Sequence, residues 1–377
     1  MMRPAVRIRR VGALALALVM PGCAVVPAIG SRAPRLPATP PPLIGGYTDA
    51  TGVIHAHTTY SDGTAAFDEV AWIAAGQGLD FLIVTDHNTL GPVRDGRPGW
   101  YGPTLVLAGT ELSTAAGHLL ALNVREEIPR EGRSAQAVID AVNAQGGLAF
   151  AAHPFGKRPW TDWSVRGLLG MEIYNAFDDF ISESRWSLPI WMLLYPREPF
   201  LRAMLDRPRR NLEHWDAMRA AGAPLVGIGV PDAHGPRALG VSLAPYGVMF
   251  RLVRTHLLVA PGPLTKEAIY DALLAGRAYV AFELDASAEG AAFTAEQDGR
   301  VAAVMGETMP YSADVTLLAS VPEAARITIL RDGRPVLRTT GRRAELSPPG
   351  PGAYRMEAER RGEPWVYSNP ISLEGAP

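Results

Sequence analysis

The sequence contains a single cysteine, Cys23, among its 377 residues. One thiol excludes an internal disulfide framework, and it excludes a metal site built from several thiolates. The chain also lacks an excess of charge: its net charge is −2, and arginine, which outnumbers lysine heavily, is scattered along the sequence. Duplex binding usually shows as a stripe of clustered basic residues, so no nucleic-acid partner is predicted. No internal repeat and no protein partner is evident.

The N-terminal region lacks an apolar run long enough to span a bilayer comfortably. The run Val11–Met20 follows several arginines and has the length of a signal-peptide core. It leads to Cys23, so residues 1–23 are predicted to be a lipoprotein-type signal peptide with Cys23 as the lipid anchor. The protein would then lie on the periplasmic face of a bacterial membrane. Met20 and Pro21 depart from the usual lipobox. The alternative is a periplasmic or secreted protein whose signal peptide is cleaved near this position, without a lipid anchor.

Composition divides the rest of the chain into three regions. Residues 24–46 are rich in proline and alanine and are expected to form a semi-rigid tether. Apolar strands then alternate with amphipathic stretches over residues 47–283, which predicts an α/β domain of βα units around a parallel sheet. Residues 284–377 have the short alternating strands of a small β-sandwich.

One segment, residues 176–210, interrupts the rhythm of the α/β domain as an insertion. It contains the apolar run Ser187–Pro196, followed by several arginines. Three interpretations are open: a helical insertion packed on the domain, a lid or substrate-facing wall, and a membrane-surface contact.

Histidine is scarce but concentrated. Six of the eight histidines, together with three acids, fall mostly at the ends of short apolar runs. Burying several imidazoles and carboxylates without a counter-charge costs several kcal/mol per group, and bound metal ions supply that counter-charge. The predicted metal ligands are His55, His57, Asp62, His87, Glu111, His118, His153, Asp232 and His234.

Strand geometry suggests how some of these side chains meet. Residues i and i+2 of a strand share a face, which predicts that His55 projects together with His57 and that Asp232 projects together with His234. Asp86 is adjacent to His87, so on a regular strand only one of the two points inward. We expect Asp86 to orient an imidazole ring from outside the ligand set.

The pattern as a whole resembles the PHP (polymerase and histidinol phosphatase) metallohydrolases. The resemblance covers about residues 52–282 and rests on these sequences: His55–Gly63, Thr85–His87, Glu111, His153–Pro154 and Asp232–His234. Within that superfamily the chain looks most like the carbaryl-hydrolase-like (CehA/McbA) branch. Three segments carry this second likeness: Gly170–Asn175, Asn211–Asp216 and Pro364–Ile371.

The resemblance implies a distorted (β/α)7 TIM-like barrel over residues 47–283 and two or three divalent metal ions. One metal would be held by His55, His57, Glu111 and Asp232. Glu111 would bridge to a second metal completed by His118 and His153, and Asp62, His87 and His234 would hold a third. Glu111, Asp232 and His234 are the expected catalytic residues. Mixed nitrogen and oxygen ligands suit zinc, manganese or iron.

The implied activity is hydrolysis of a small-molecule phosphoester by a hydroxide held between two metals. Lys157, Arg158 and Asn175 are expected near the substrate or behind the ligands. Hydrolysis of a carbamate or carboxyl ester is the alternative, with Trp160 and Trp163 as candidates for an apolar pocket. A non-catalytic envelope lipoprotein with a binding role is the second alternative.

Overall fold

A computed structural model describes residues 43–178, 205–238, 241–242 and 244–375. The predictions for residues 1–23, including Cys23, for most of the 24–46 tether and for residues 179–204 of the insertion lie outside these described residues. The part that the model describes is a mixed α/β structure with large sheets. None of its helices is long and apolar enough to cross a bilayer.

The first half of the α/β region alternates strands with helices. Its elements are β1 (Thr48–Ile54), α1 (Phe67–Gly76), β2 (Phe81–Val84), α2 (Gly91–Arg94), β3 (Gly99–Tyr101), β4 (Thr104–Ala108), β5 (Thr110–Thr114), β6 (Gly117–Leu122), α3 (Ala135–Ala144), β7 (Leu148–Ala151) and β8 (Gly170–Asn175). Helix α3 begins where the hydroxyl of Ser134 accepts a hydrogen bond from the Ala137 amide. Such an N-cap satisfies one of the free amides of the first turn.

The second half of this region contains α4 (Arg209–Ala220), β9 (Val226–Val230), β10 (Arg237–Ala238), β11 (Val241–Ser242), α5 (Tyr246–Leu252), β12 (Arg254–Val259), α6 (Lys266–Leu274) and β13 (Ala278–Ala281). The C-terminal region consists of β14 (Ala292–Gln297), β15 (Arg300–Val304), β16 (Thr308–Pro310), β17 (Thr316–Arg331), β18 (Arg334–Leu346), β19 (Gly352–Arg360), β20 (Glu363–Ser368) and β21 (Ile371–Glu374). The boundary predicted at 283/284 therefore falls between β13 and β14.

The strands do not pair into the closed barrel that the resemblance implies. Strands β1, β2 and β4 pair in parallel, as do β7, β8 and β9, but β1–β12, β5–β6 and β6–β7 are antiparallel. The hairpin between β5 and β6 is too short for the helical crossover that a parallel pair requires. Strands β5 to β9 form one sheet, and isolated bridges, His87 with Glu111 and Ala56 with Ala233, link it to the larger sheet. The described strands thus form these two sheets and a separate two-stranded sheet of β10 and β11, and the largest sheet is not closed.

The C-terminal region continues the larger sheet, because β20 pairs with β13 through Val366 and Ala281. The Arg355 guanidinium, 1% exposed, donates to both carboxylate oxygens of Asp216 on α4, at 2.8 and 2.7 Å. The Asn369 side chain exchanges two 2.8 Å hydrogen bonds with the backbone of Gly227 in β9. The C-terminal strands therefore hold elements that carry the candidate site.

Candidate metal centre

Five of the nine predicted ligands lie just after the end of a strand, whereas Glu111 and His118 lie near the start of β5 and β6. His55 and His57 follow β1, His87 follows β2, His153 follows β7 and Asp232 follows β9. The carboxyl ends of neighbouring strands meet at one edge of a sheet, and this brings side chains that are distant in sequence to the same place.

Strand alternation, predicted to align His55 with His57 and Asp232 with His234, is not what brings these side chains together. Strand β1 ends at Ile54, and His55 has a φ of 72°; β9 ends at Val230, and Asp232 has a φ of 49°. His153 is also in the left-handed region, with a φ of 27°. This region is uncommon for non-glycine residues and costs of order 1 to 3 kcal/mol where it occurs. A turn of the backbone, and not strand alternation, aims these side chains.

The first group of donor atoms brings together two imidazoles and two carboxylates. The Nε2 atoms of His55 and His57 are 3.0 Å apart. Asp232 Oδ1 is 3.2 Å from each of them, and Glu111 Oε2 is 3.2 Å from His55 Nε2 and 3.3 Å from His57 Nε2. Four ligands at the corners of a tetrahedral zinc site are separated by roughly 3.3 Å, given bonds of about 2.0 to 2.1 Å. The spacing therefore fits one metal ion.

Glu111 faces a second group with its other oxygen. Its Oε1 atom is 2.7 Å from His118 Nδ1 and 3.0 Å from His153 Nε2, and these two nitrogens are 3.2 Å apart. Glu111 is 1% exposed. The two oxygens of one buried carboxylate thus belong to two different sets of donors.

A third group is looser and more open. Asp62 Oδ2 is 3.5 Å from His87 Nε2, and Asp62 Oδ1 is 3.4 Å from His234 Nε2 and 3.7 Å from His57 Nδ1. The Asp62 side chain is 56% exposed. His87 also reaches the middle of the site, because its Nδ1 atom is 3.0 Å from Glu111 Oε2. This side of the cluster is the one that solvent reaches.

The charges of the site suit cations. Burial alone would raise the pKa of Glu111 and Asp232, yet neighbouring imidazoles, His55 foremost, hold both pKa values well below their usual range. Burial would lower the pKa of His87 and His153, but Asp62 and Glu111 raise the first to about 10 and Glu111 raises the second to about 9. The carboxylates are therefore ionised at neutral pH. Metal ions and protons compete for the same nitrogens.

One buried oxygen supports this fit directly. Asp232 Oδ1 is shielded from solvent and has no hydrogen-bond partner among the described residues. A buried charged oxygen without a partner is costly. A divalent ion among the four donors of the first group would satisfy it.

Two residues behind the ligands fix their orientation. Glu172, fully buried in β8, accepts a hydrogen bond from His55 Nδ1 at 2.6 Å and another from the His153 amide at 2.5 Å. Asn175 donates to Glu172 Oε2 at 2.9 Å and to Asp232 Oδ2 at 3.2 Å. Asn175 was among the residues predicted from the sequence, whereas Glu172 was not. An acid in the middle of an apolar strand was the available signal.

Asp86 has a different role from the expected one. Its carboxylate accepts hydrogen bonds from the amide and hydroxyl of Thr58, both at 2.7 Å, and from the Ser61 hydroxyl at 2.6 Å. It therefore anchors the loop that follows His57. It reaches an imidazole only through Ser61, whose Oγ atom is 3.5 Å from His57 Nδ1. The loop after His57 turns back sharply beyond β1. The turn places the donors of Thr58 and Ser61, and not an imidazole ring, beside the Asp86 carboxylate.

The two cations expected near the substrate are placed differently. Arg158 Nη1 lies 3.3 Å from His118 Nε2, at the edge of the second group. Lys157 is exposed and is held by its backbone amide, which donates to Asp178 Oδ1 at 3.0 Å. Of these two cations, Arg158 alone has a contact with a predicted ligand among the described residues.

An aromatic cluster lies on the chain segments beside the ligands. Trp163 contacts His214 of α4 with ring centroids 4.2 Å apart, and Phe155 contacts both, at 6.3 and 5.1 Å. Phe177 stacks on His234 at 4.8 Å. The Phe177 ring thus places apolar surface against one of the predicted metal ligands.

Comparison with known proteins gives one relative by sequence and distant likenesses by structure. No protein-family model matches the chain. A two-domain protein from Bacteroides vulgatus, described as containing a predicted PHP-like metal-dependent phosphoesterase, is similar with a TM-score of 0.43 and 14% identity, over 88% of this chain and 97% of that one. An amidohydrolase from Chromobacterium violaceum, with bound sulfate and no metal, has a TM-score of 0.33 and 15% identity, over 50% and 88%.

The sequence relative is the uncharacterized protein MJ1587 of Methanocaldococcus jannaschii. It is 30% identical over 139 residues, and the match covers 33% of this chain and 81% of that protein. The chain belongs to the family of this uncharacterized protein.

Proposed function

We propose that the chain is a metal-dependent hydrolase of the PHP type that cleaves a small-molecule phosphoester. The observation that carries the proposal is the placement of Glu111. Its Oε2 atom faces His55 and His57, and its Oε1 atom faces His118 and His153. A carboxylate shared in this way supports a bridging role between two metal positions. The looser group around Asp62 supports a third.

The residues of the chain would hold the ions and orient the substrate. Imidazole and carboxylate donors without thiolate suit zinc, manganese or iron. When bound, such ions act as Lewis acids and lower the pKa of a coordinated water molecule. The ligand shell is buried on the side of His55 and Glu111 and open on the side of Asp62. A substrate is therefore expected to approach over Asp62, His87 and His234. Of the three predicted catalytic residues, Glu111 and Asp232 would hold ions of the two tight groups, and His234 would hold the third ion beside this opening.

Arg158 is the candidate cation for a phosphoryl group. A metal on His118 Nδ1 leaves the ring proton on Nε2, which then donates and cannot accept from a guanidinium. The contact between Arg158 and His118 Nε2 is thus incompatible with a metal-bound neutral His118. With an ion held by His118, the Arg158 guanidinium would have no acceptor on this ring and would be available to an anionic group of the substrate.

Replacing Arg158 with alanine is expected to lower phosphoesterase turnover by about a hundredfold, because charge stabilisation in a partly dry site contributes a few kcal/mol. Turnover of a neutral aryl ester should change little. Lys157→Ala is the matched control, since Lys157 is exposed and its side chain has no described contact with the ligands. Steady-state kinetics of both variants on both substrates measure the effect. Equal losses on the two substrate types would contradict the role.

Carbamate or carboxyl ester hydrolysis is a second candidate, and the CehA/McbA likeness favours it. The aromatic cluster of Phe155, Trp163 and His214 supports it, because a neutral aryl substrate binds apolar ring surface. Trp160, expected in the same pocket, is itself buried and contacts Trp163 at 6.4 Å.

One preparation separates these functions. The protein is analysed for metal content and assayed on a phosphomonoester, a phosphodiester and an aryl ester. Turnover of a phosphate ester that is lost with chelator and restored by zinc, manganese or iron would support the proposal. Aryl ester turnover that exceeds phosphate ester turnover would select the second candidate. A metal-free protein without activity would favour the non-catalytic alternative.

The periplasmic face of a bacterial membrane is the proposed location, with Cys23 as a lipid anchor. Cys23→Ala is expected to move the protein from the membrane fraction to the soluble fraction, since the apolar run Val11–Met20 is too short to span a bilayer comfortably. Fractionation and immunoblotting measure this. The purified variant should keep its activity, because all predicted ligands lie downstream of the tether. Persistence in the membrane fraction would contradict the anchor.

A further inference from the structure

One buried carboxylate touches ligands from both of the tight donor groups. Glu172 Oε1 is 2.6 Å from His55 Nδ1, in the first group. Glu172 Oε2 is 2.5 Å from the backbone amide of His153, in the second group. The same oxygen accepts from Asn175 Nδ2 at 2.9 Å, and that amide also donates to Asp232 Oδ2 at 3.2 Å. No other described carboxylate outside the predicted ligands makes contacts of this kind with both groups.

An irregularity in β8 makes the arrangement possible. On a regular strand, Glu172 and Asn175 would point to opposite faces, because their separation is odd. The register with β9 shifts between Glu172 and Tyr174, which pair with the consecutive residues Ile228 and Gly229. Such a bulge adds one residue and re-aims the side chains that follow it. Glu172 and Asn175 are thereby brought to the same side, where they hydrogen-bond to each other.

We propose that Glu172 is a positioning residue that sets the spacing between the two metal positions bridged by Glu111. Accepting the Nδ1 proton of His55 leaves the Nε2 lone pair free for a metal and fixes the ring. Accepting the His153 amide holds the backbone turn that aims the second imidazole. This inference rests on the proposed function, because it concerns the same ions.

The role requires a carboxylate and not merely a polar side chain. Three N–H donors converge on Glu172: those of His55, His153 and Asn175. A carboxylate offers an acceptor on each side, whereas glutamine offers one acceptor and one donor group. Glu172→Gln must place an NH2 group against at least one of these donors. The substitution keeps the volume of the side chain and removes the two-sided contact.

The test compares Glu172→Gln with Glu283→Gln, and wild type is measured first. Glu283 is the matched control because it is also buried, lies 3.4 Å from a histidine, His256 Nε2, and accepts a backbone amide, that of Ala288 at 2.5 Å, yet contacts none of the nine predicted ligands. Each protein is loaded with zinc, desalted and titrated with a chelator, and the zinc retained is measured by mass spectrometry. Thermal unfolding of the metal-free forms reports stability separately.

We expect Glu172→Gln to retain at least one equivalent of zinc fewer than wild type and to release the rest at about 10- to 100-fold less chelator. Glu283→Gln should retain the wild-type amount even if its melting temperature falls. Equal retention by Glu172→Gln and wild type would overturn the inference, as would an equal loss in both variants.

Two further readouts keep the test decisive. If wild type itself retains no zinc, manganese or iron, the proposed function fails before this inference is reached. If Glu172→Gln does not fold, Asn175→Ala decides, because Asn175 links Glu172 to Asp232 with a smaller change in the strand. Reduced zinc retention in Asn175→Ala would support the positioning role, and unchanged retention would overturn it.

Discussion

Glu111→Ala is expected to lose more than one equivalent of metal and at least about a thousandfold in turnover, because a bridging carboxylate holds two ions and fixes their separation. The residue is buried, and its two oxygens contact nitrogens of five different histidines within 3.3 Å. No neighbouring acid is placed to replace both oxygens among the described residues.

Metal analysis and kinetics of the purified variant measure both effects. Asp62→Ala is the comparison, because Asp62 is half-exposed and belongs only to the looser group. That variant should lose no more than one equivalent. Normal metal content with normal turnover in Glu111→Ala would show the bridging assignment to be wrong.

Arg355→Ala is expected to lower the free energy of unfolding by about 3 to 5 kcal/mol, the usual cost of leaving buried charges unpaired. The guanidinium donates to Asp216, to Glu357 at 2.6 Å, and lies over the Trp215 ring at 5.5 Å. Removing it leaves the Asp216 carboxylate without its bidentate partner. Among the described residues, Glu357 then keeps Arg207 as its one cationic partner, which donates to it at 2.9 and 2.6 Å.

Chemical denaturation of the full chain measures the difference. Arg326→Ala is the matched control on β17, because its ion pair with Glu359 involves a guanidinium that is 58% exposed. Exposed pairs contribute roughly 0 to 1 kcal/mol. A loss in Arg355→Ala no larger than in Arg326→Ala would contradict the interpretation of the buried network.

The positions of the ligands were accessible from the sequence for a physical reason. Histidines and acids at the ends of apolar runs are rare, and parallel neighbours such as β1 and β2 bring those ends together. The placement of His55, His87 and His153 follows from this rule, whereas Glu111 is the second residue of the antiparallel strand β5. The donor atoms of the predicted ligands lie close together, and their division into the three ligand sets implied by the PHP resemblance stays a prediction.

The remaining features depend on contacts that no local pattern contains. The left-handed backbone of His55 and Asp232 is set by where β1 and β9 stop pairing, and the open sheet follows from the hairpin between β5 and β6. Glu172 was missed because its orientation depends on a register shift between two strands. Hydrophobic periodicity records which residues are buried, but not which partner each strand acquires.

The pairing of β13 with β20 has a consequence for how the protein unfolds. Three residue pairs, from Tyr279 with Ser368 to Ala281 with Val366, join the two regions into one sheet. A fragment ending at Glu283 would leave β13 as an unprotected edge, which is a site for aggregation. We therefore expect the two regions that composition separates to unfold as one cooperative unit, so that melting of the C-terminal strands would release the elements that carry the predicted ligands.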